Sequence, residues 1–235
     1  MTGMSLAVER KRKGWSQVEA ASRLGVSQPY LSLLEKGDRA VTDHLARKAT
    51  EVFGLSPAAL PLKGRQDSPE PGNEEELAVE LATLGYPALD HLRSARRTKA
   101  RHHRNPAEVL ASALQVSNLD GRLMEAMPWV VLEFPEMDWQ WLVSVAKLND
   151  LQNRLGFVTN VARRLAEKRG EIEKAAHLTR QESILERSRL AREDTLCHDS
   201  LSQAERTWLR SHRPDEARHW GLLTDLSPEH LSYAD

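Results

Sequence analysis

Few residues in this 235-residue chain have types and spacing suited to covalent chemistry. The single cysteine, Cys197, is followed directly by His198, but a nucleophile and its base are recognised by geometry in space, not by adjacency in the chain. That pair reads as structural. His102 and His103 sit in RSARRTKARHHR (93–104), a basic run whose default reading is a solvated face. A phosphate contact or a surface for an acidic partner are its alternatives. No HExxH, GxxxxGK[ST], GxSxG or GxGxxG pattern occurs, so the chain is expected to have no catalytic residues, no metal and no cofactor. One cysteine also excludes an internal disulfide and a cysteine-rich zinc module. Chemistry of recognition is a better match, and it concentrates in GVSQPYLSLLEKG (25–37).

Ser27 is placed to cap a helix, and Pro29 falls in its first turn, where the missing N–H costs nothing. Val26 and Leu31 have the spacing of a hydrophobic staple, and Gly37 offers a left-handed residue to stop the helix. At about 100° per residue, Leu31 and Leu34 lie about 60° apart. Leu33 points about 160° away from Leu31, on a face shared with Pro29 and Ser32. A leucine and a proline therefore look outward. Just upstream, Ser16 caps SQVEAASR with Glu19 three residues on, the spacing of a capping box, and Leu24–Gly25–Val26 makes a short turn. Two helices joined by such a turn form a helix-turn-helix. Its first helix crosses a phosphate backbone and its second lays N-terminal residues in the major groove. Gln28 can then pair bidentately with an adenine, and Leu33 can touch a thymine methyl. An ordinary three-helix packing unit with a lone surface leucine is the competing reading.

SQVEAASRLGVSQPYLSLLEKGDR (16–39) closely resembles the core of the phage-repressor/Cro-type, or XRE-type, helix-turn-helix family, and the resemblance covers about residues 5–57. It implies a sequence-specific transcription regulator, a repressor that binds double-stranded DNA as a homodimer on a near-palindromic operator. It implies base contacts by Ser27, Gln28, Pro29, Ser32 and Leu33, and phosphate contacts by Gln17 and the loop after Gly37. Lys36, Arg39 and Lys13 are further phosphate candidates, each equally readable as a solvated charge. An ion pair between Arg10 and Glu35 is implied as well. That pairing has its own physical sense, because a lone carboxylate on the Leu31 side would be costly to desolvate. Two features depart from the family: Ala20 stands where a larger aliphatic is usual, and the loop GDRAVTD lacks a proline often found there.

Residues 1–62 read as a five-helix DNA-binding domain, with helices at Leu6 to Lys13, SQVEAASR, the quoted helix, DHLARKATEVF and a short turn from Ser56–Pro57. KGRQDSPEPGN (63–73) reads as a linker, and 74–235 as a larger α-helical domain for dimerisation, partner binding or sensing. The expected fold class is all-α. Helices are expected at about 74–84, 87–98, 106–115, 120–127, 138–148, 150–168, 170–193, 202–211 and 214–222, with no strand. Leu151, Leu155, Val158, Ala162 and Leu165 form one apolar stripe. The tryptophans at 129, 139, 141, 208 and 220 read as core anchors.

Charge follows the same division. Residues 1–65 hold 11 Lys/Arg against 6 Asp/Glu, and residues 66–235 hold 22 against 28, so a basic head sits on an acidic body. No apolar run reaches 18 residues, so no membrane span is expected, and a cytoplasmic, bacterial, nucleoid-associated protein fits. Residues 128–169 and REDTLCHDSLSQAERTWLR (192–210) resemble a group of bacterial regulators whose genes often neighbour an abortive-infection nucleotidyltransferase toxin. That likeness implies an autoregulating antitoxin with a cognate toxin as partner. A small-molecule-responsive repressor, or a protein-interaction module that does not bind DNA specifically, are the alternatives.

Overall fold

The computed structural model describes residues 3–62, 69–95, 104–231 and 233. The chain is all-α, with thirteen α-helices among the described residues, and divides into two compact units. The first comprises residues 1–62 with 101–105, and the second the remainder.

In the first unit, α1 (Gly3–Arg12), α2 (Gln17–Leu24), α3 (Gln28–Lys36) and α4 (Asp43–Phe53) are followed by a 3₁₀ turn, Pro57–Ala59. Four α-helices and a turn thus stand where five helices were expected. Ser16, Ser27 and Thr42 each accept a hydrogen bond from the backbone N–H three residues on, satisfying one orphan donor per helix. The α2 capping box is only half closed. Ser16 accepts from the Glu19 N–H, but the Glu19 carboxylate turns to Arg23 at 2.9 Å. Gly25, at φ 67°, ends α2 with N–H bonds back to Ala21 and Ser22, and so sets the turn into α3. Leu6, Ala20, Leu24, Leu31, Leu34, Leu45 and Phe53 fill one core behind α3. Ala20 is fully buried there, with Trp15 and Tyr30 packed against the same cluster. Asn105 belongs to this unit too, its Nδ2 donating to the carbonyls of Ala58 and Leu60 at 3.1 and 2.7 Å.

The second unit runs α5 (Glu74–Leu84), a 3₁₀ turn at Pro87–Leu89, α6 (Asp90–Ala95), α7 (Pro106–Leu114), α8 (Gly121–Glu133) and α9 (Trp139–Leu148). It continues with α10 (Gln152–Lys168), α11 (Ile172–Glu186), β1 (Asp194–Thr195), α12 (Gln203–His212), α13 (Asp215–His219) and β2 (Leu222–Leu223). The expected linker ends fastened rather than free. Gly72 N–H donates to the Ser112 carbonyl at 3.2 Å, and Gln115 Nε2 to that of Pro69 at 2.8 Å. The basic run 93–104 lies largely outside the described residues.

At the centre is α10. Its expected stripe is buried, and so is the opposite side with Asn153, Gly156 and Asn160, because α8, α9 and α11 all pack on it. A helix buried all round cannot carry a polar stripe, so its polar residues must be used internally. Asn153 exchanges two hydrogen bonds with the backbone of Leu190, at 2.9 and 2.8 Å. That contact draws the chain out of helix and explains why α11 ends at Glu186 and not near 193. The freed segment continues into β1, which pairs in parallel with β2 through Asp194–Leu222 and Thr195–Leu223. A short strand pair therefore stands where no strand was expected, β1 just past the helix expected over 170–193 and β2 at the end of the one expected over 214–222, and an all-helical second unit is corrected to that extent.

Two further expectations change for physical reasons. α8 does not stop before Pro128 but runs through it to Glu133. A helix-interior proline costs about 3 kcal/mol. Eight buried α8 residues, among them Leu123, Met127, Trp129 and Leu132, outweigh that at about 1.5–3 kcal/mol for each large one. Trp129, Trp139, Trp141 and Trp220 are buried as anchors, but Trp208 is 51% exposed. Trp220 packs on Gly156 of α10, where an added Cβ would lie 2.2–2.5 Å from three ring atoms. Gly156→Ala should displace the indole and destabilise the second unit by about 1–3 kcal/mol, read as a lower urea midpoint. An unchanged midpoint would show that this close approach does not matter.

Candidate nucleic-acid interface

The recognition face is built by α3. Leu31 and Leu34 are buried beneath it, while Ser27 and Pro29 are exposed and Gln28 and Ser32 half-buried. Leu33 is 39% exposed, on the side away from the core. Ser27 spends one lone pair on the Tyr30 N–H at 3.3 Å, so its hydroxyl proton stays available.

Beneath that face a hydrogen-bonded chain runs from the core to the surface. Arg10 grips Glu35 with two bonds, Nε to Oε1 at 2.6 Å and Nη2 to Oε2 at 3.0 Å. Its Nη1 donates to the Trp15 carbonyl at 3.0 Å. Gln17 Nε2 then donates to Glu35 Oε2 at 2.9 Å, and Gln28 Nε2 to Gln17 Oε1 at 2.8 Å. Arg10, Glu35, Gln17 and Gln28 are thus brought into one network that joins α1, α2 and α3. Gln28 keeps one Nε2–H and its whole Oε1, the donor and acceptor needed for an adenine N7 and N6. Its rotamer is set before any base arrives.

The Arg10 and Glu35 side chains are only 13% and 6% exposed. A buried pair adds little net stability over an apolar replacement, but removing one partner strands the other. Burial pushes the Glu35 carboxyl up, yet the hydrogen bonds from Arg10 and Gln17 outweigh it, so the group sits below its usual 4.5. The same bond to Glu35 holds Arg10 above its ordinary value despite desolvation.

Gln17 is engaged between Glu35 and Gln28 through one Nε2–H and its Oε1, which leaves its second Nε2–H for another acceptor. As the first residue of α2, its backbone N–H has no intrahelical acceptor and faces the helix N-terminus, a favourable place for an anion. Lys36 closes α3, Arg39 lies in the next loop and Lys13 follows α1. All three are exposed and carry no ion pair among the described residues. Lys13 makes no hydrogen bond to the α3 residues, so the structure does not join it to the network.

A family profile described as helix-turn-helix, of the XRE/Cro type, matches residues 6–60. Residues 6–60 are an XRE-type helix-turn-helix domain. No curated protein and no solved structure matches the chain. The XRE-type domain is a DNA-binding module of transcription regulators. Sequence reasoning missed three of its supports: the Gln17–Gln28 bond, Trp15 and Asn105. Trp15 stacks on Phe53 at 5.3 Å, with the Arg23 guanidinium 4.0 Å over its ring. Its position just after Gly14, before a capped helix, was the available signal. Asn105 had only the turn-forming Asn–Pro dipeptide, 45 residues from its partner carbonyl at Leu60.

Glu35→Gln tests the network. With a folded-state pKa below 4.5, the carboxylate's contribution is complete above that pH and is lost as pH falls through the lower folded value. At pH 7 the variant should lower amide-exchange protection in α1 and α3 by about 1–3 kcal/mol. The difference from wild type should close as pH falls below 4.5 and the carboxylate is protonated. A gap that stays constant with pH would contradict the ion pair.

Proposed function

We propose that this DNA-binding regulator is a repressor that reads one operator half-site per copy through Ser27, Gln28, Pro29, Ser32 and Leu33, and acts as a dimer. The observation that carries this reading is the pre-set Gln28 amide, held by Gln17 at 2.8 Å, on the same helix as an exposed Leu33. One group offers the paired donor and acceptor for adenine, and the other an apolar contact for a thymine methyl. Lys36, Arg39 and Lys13 supply phosphate contacts, which fix register without reading sequence. Two copies would place α3 helices about 34 Å apart on a near-palindromic site.

The chain is read as a regulator and not as an enzyme. Burial pushes the Cys197 thiol up to about 12, despite the Arg154 guanidinium beside it, which suits an inert structural cysteine. Arg154 itself, on α10, is bound to Asp194 at 3.0 and 3.1 Å and to the Leu114 carbonyl at 3.0 Å, a fastening of β1 to the helical core. No helix among the described residues is long and apolar enough to cross a membrane. The resemblance of 128–169 and 192–210 to antitoxin-regulators supports autoregulation of a toxin–antitoxin operon. Under that reading the second unit also holds a cognate toxin.

The test is titration of the full chain onto its own upstream DNA at two salt concentrations, beside scrambled DNA and a Gln28→Ala/Ser32→Ala variant. Wild type should prefer its own DNA, and the variant should lose about 1–3 kcal/mol of that preference. Affinity should fall with salt, with a log–log slope near −0.9 per phosphate contacted. Equal binding of both DNAs would leave only attraction to phosphate, and no binding at either salt would overturn the reading.

A further inference from the structure

A half-open cleft of about 230 Å³ lies in the second unit, between α12, β2, α8 and the segment that follows β1. Its deepest part is apolar, formed by Leu196, Leu209 and Leu223, each 7% exposed or less. Trp208 forms one wall. This indole is half in solvent, yet it is not loose, for it stacks on His212 with centroids 4.4 Å apart and planes 8° from parallel. A large, ordered, exposed aromatic at the edge of an apolar pocket is the usual arrangement of a ligand site.

The ionisable groups lining the cleft are Glu205, Asp225 and His198, with no lysine or arginine among them. Glu205 uses Oε2 to accept from the Ser202 N–H and hydroxyl, both at 2.7 Å, so the carboxylate is anchored in place. Those bonds keep it below the usual carboxylate range and therefore ionised at neutral pH. Its Oε1 has no partner among the described residues, and neither does the Asp225 carboxylate. The site thus offers an apolar floor, an aromatic wall and two carboxylates, with no lysine or arginine in its lining. An anion would meet two carboxylates and no lysine or arginine there. At roughly 30 Å³ for each water-sized group, the volume holds about eight such groups, the size of a small molecule.

We propose that this cleft binds a small amphipathic cation, a flat aromatic or apolar body carrying an amine. The body lies on the leucine floor against Trp208, and the ammonium faces Asp225 and the free oxygen of Glu205. Trp208 also adds cation–π attraction. The proposal does not rest on DNA binding, because occupancy is measured without DNA.

Phenethylamine is a suitable probe, with 3-phenylpropionate as an anion of similar size, each titrated into the full chain by calorimetry. Phenethylamine should bind one per chain with a Kd of about 1 mM or tighter, and 3-phenylpropionate should not saturate. Trp208→Ala should weaken binding about tenfold. Asp225→Asn should weaken it about threefold, the scale of one solvent-exposed ion pair. Circular dichroism melts of both variants confirm that they fold. No saturable binding of phenethylamine, equal binding of the anion, or binding indifferent to both substitutions in folded protein would overturn the proposal.

Discussion

Everything on the DNA-facing side depends on one constraint: Glu35 is almost out of water and must be neutralised where it stands. Arg10 meets that need from α1 with two bonds, which fixes the distance and rotation between α1 and α3. The remaining lone pair of Glu35 then selects Gln17, and Gln17 selects the rotamer of Gln28. A buried charge thus determines the direction of a surface amide two side chains away. The pair contributes little stability of its own, and its effect is specificity of arrangement. Flexible glutamine side chains lose rotamer entropy when ordered, and here that loss is taken during folding, so less remains to be lost on binding.

The second unit solves a related problem at larger scale. α10 is enclosed, so its polar residues have nowhere to go but inward. Asn153 becomes a surrogate strand for Leu190, and Arg154 collects Asp194, Asp199 and the end of α7. These two neighbours convert the chain after α11 from helix into an extended, anchored segment. The cleft beside Trp208 exists because that segment and β2 run past α12 without filling the space. Gly156 shows the same tightness from the apolar side, since only a hydrogen there leaves room for Trp220.

Local signals made the first unit legible. Ser16, Ser27, Thr42 and the glycines at 25, 37 and 54 punctuate helices by backbone chemistry that needs no tertiary information. The outward aim of Leu33 followed from helical periodicity, while the Arg10–Glu35 pairing was implied by the family resemblance and agrees with the cost of burying a lone charge. The Gln17–Gln28 bond was not legible, because two amides in different helices give no pattern until their axes are placed. In the second unit, helix existence was readable but helix ends were not. Pro128 signals a stop that burial overrides, and nothing in the string around 187–193 shows that Asn153 will divert the chain. Trp208 was misplaced because tryptophan's size argues for a core, while its neighbours on α12 leave only Leu209 buried.

The central claim is that Gln28 reads a base because Gln17 holds it. It is tested most directly by a double-mutant cycle of Gln17→Ala and Gln28→Ala, measured on DNA selected in vitro by the full chain and again on unrelated DNA. The account predicts that the two substitutions are coupled by about 0.5–3 kcal/mol on the selected site and additive on unrelated DNA. Additive losses on the selected site, or a selection that enriches no sequence at all, would contradict it.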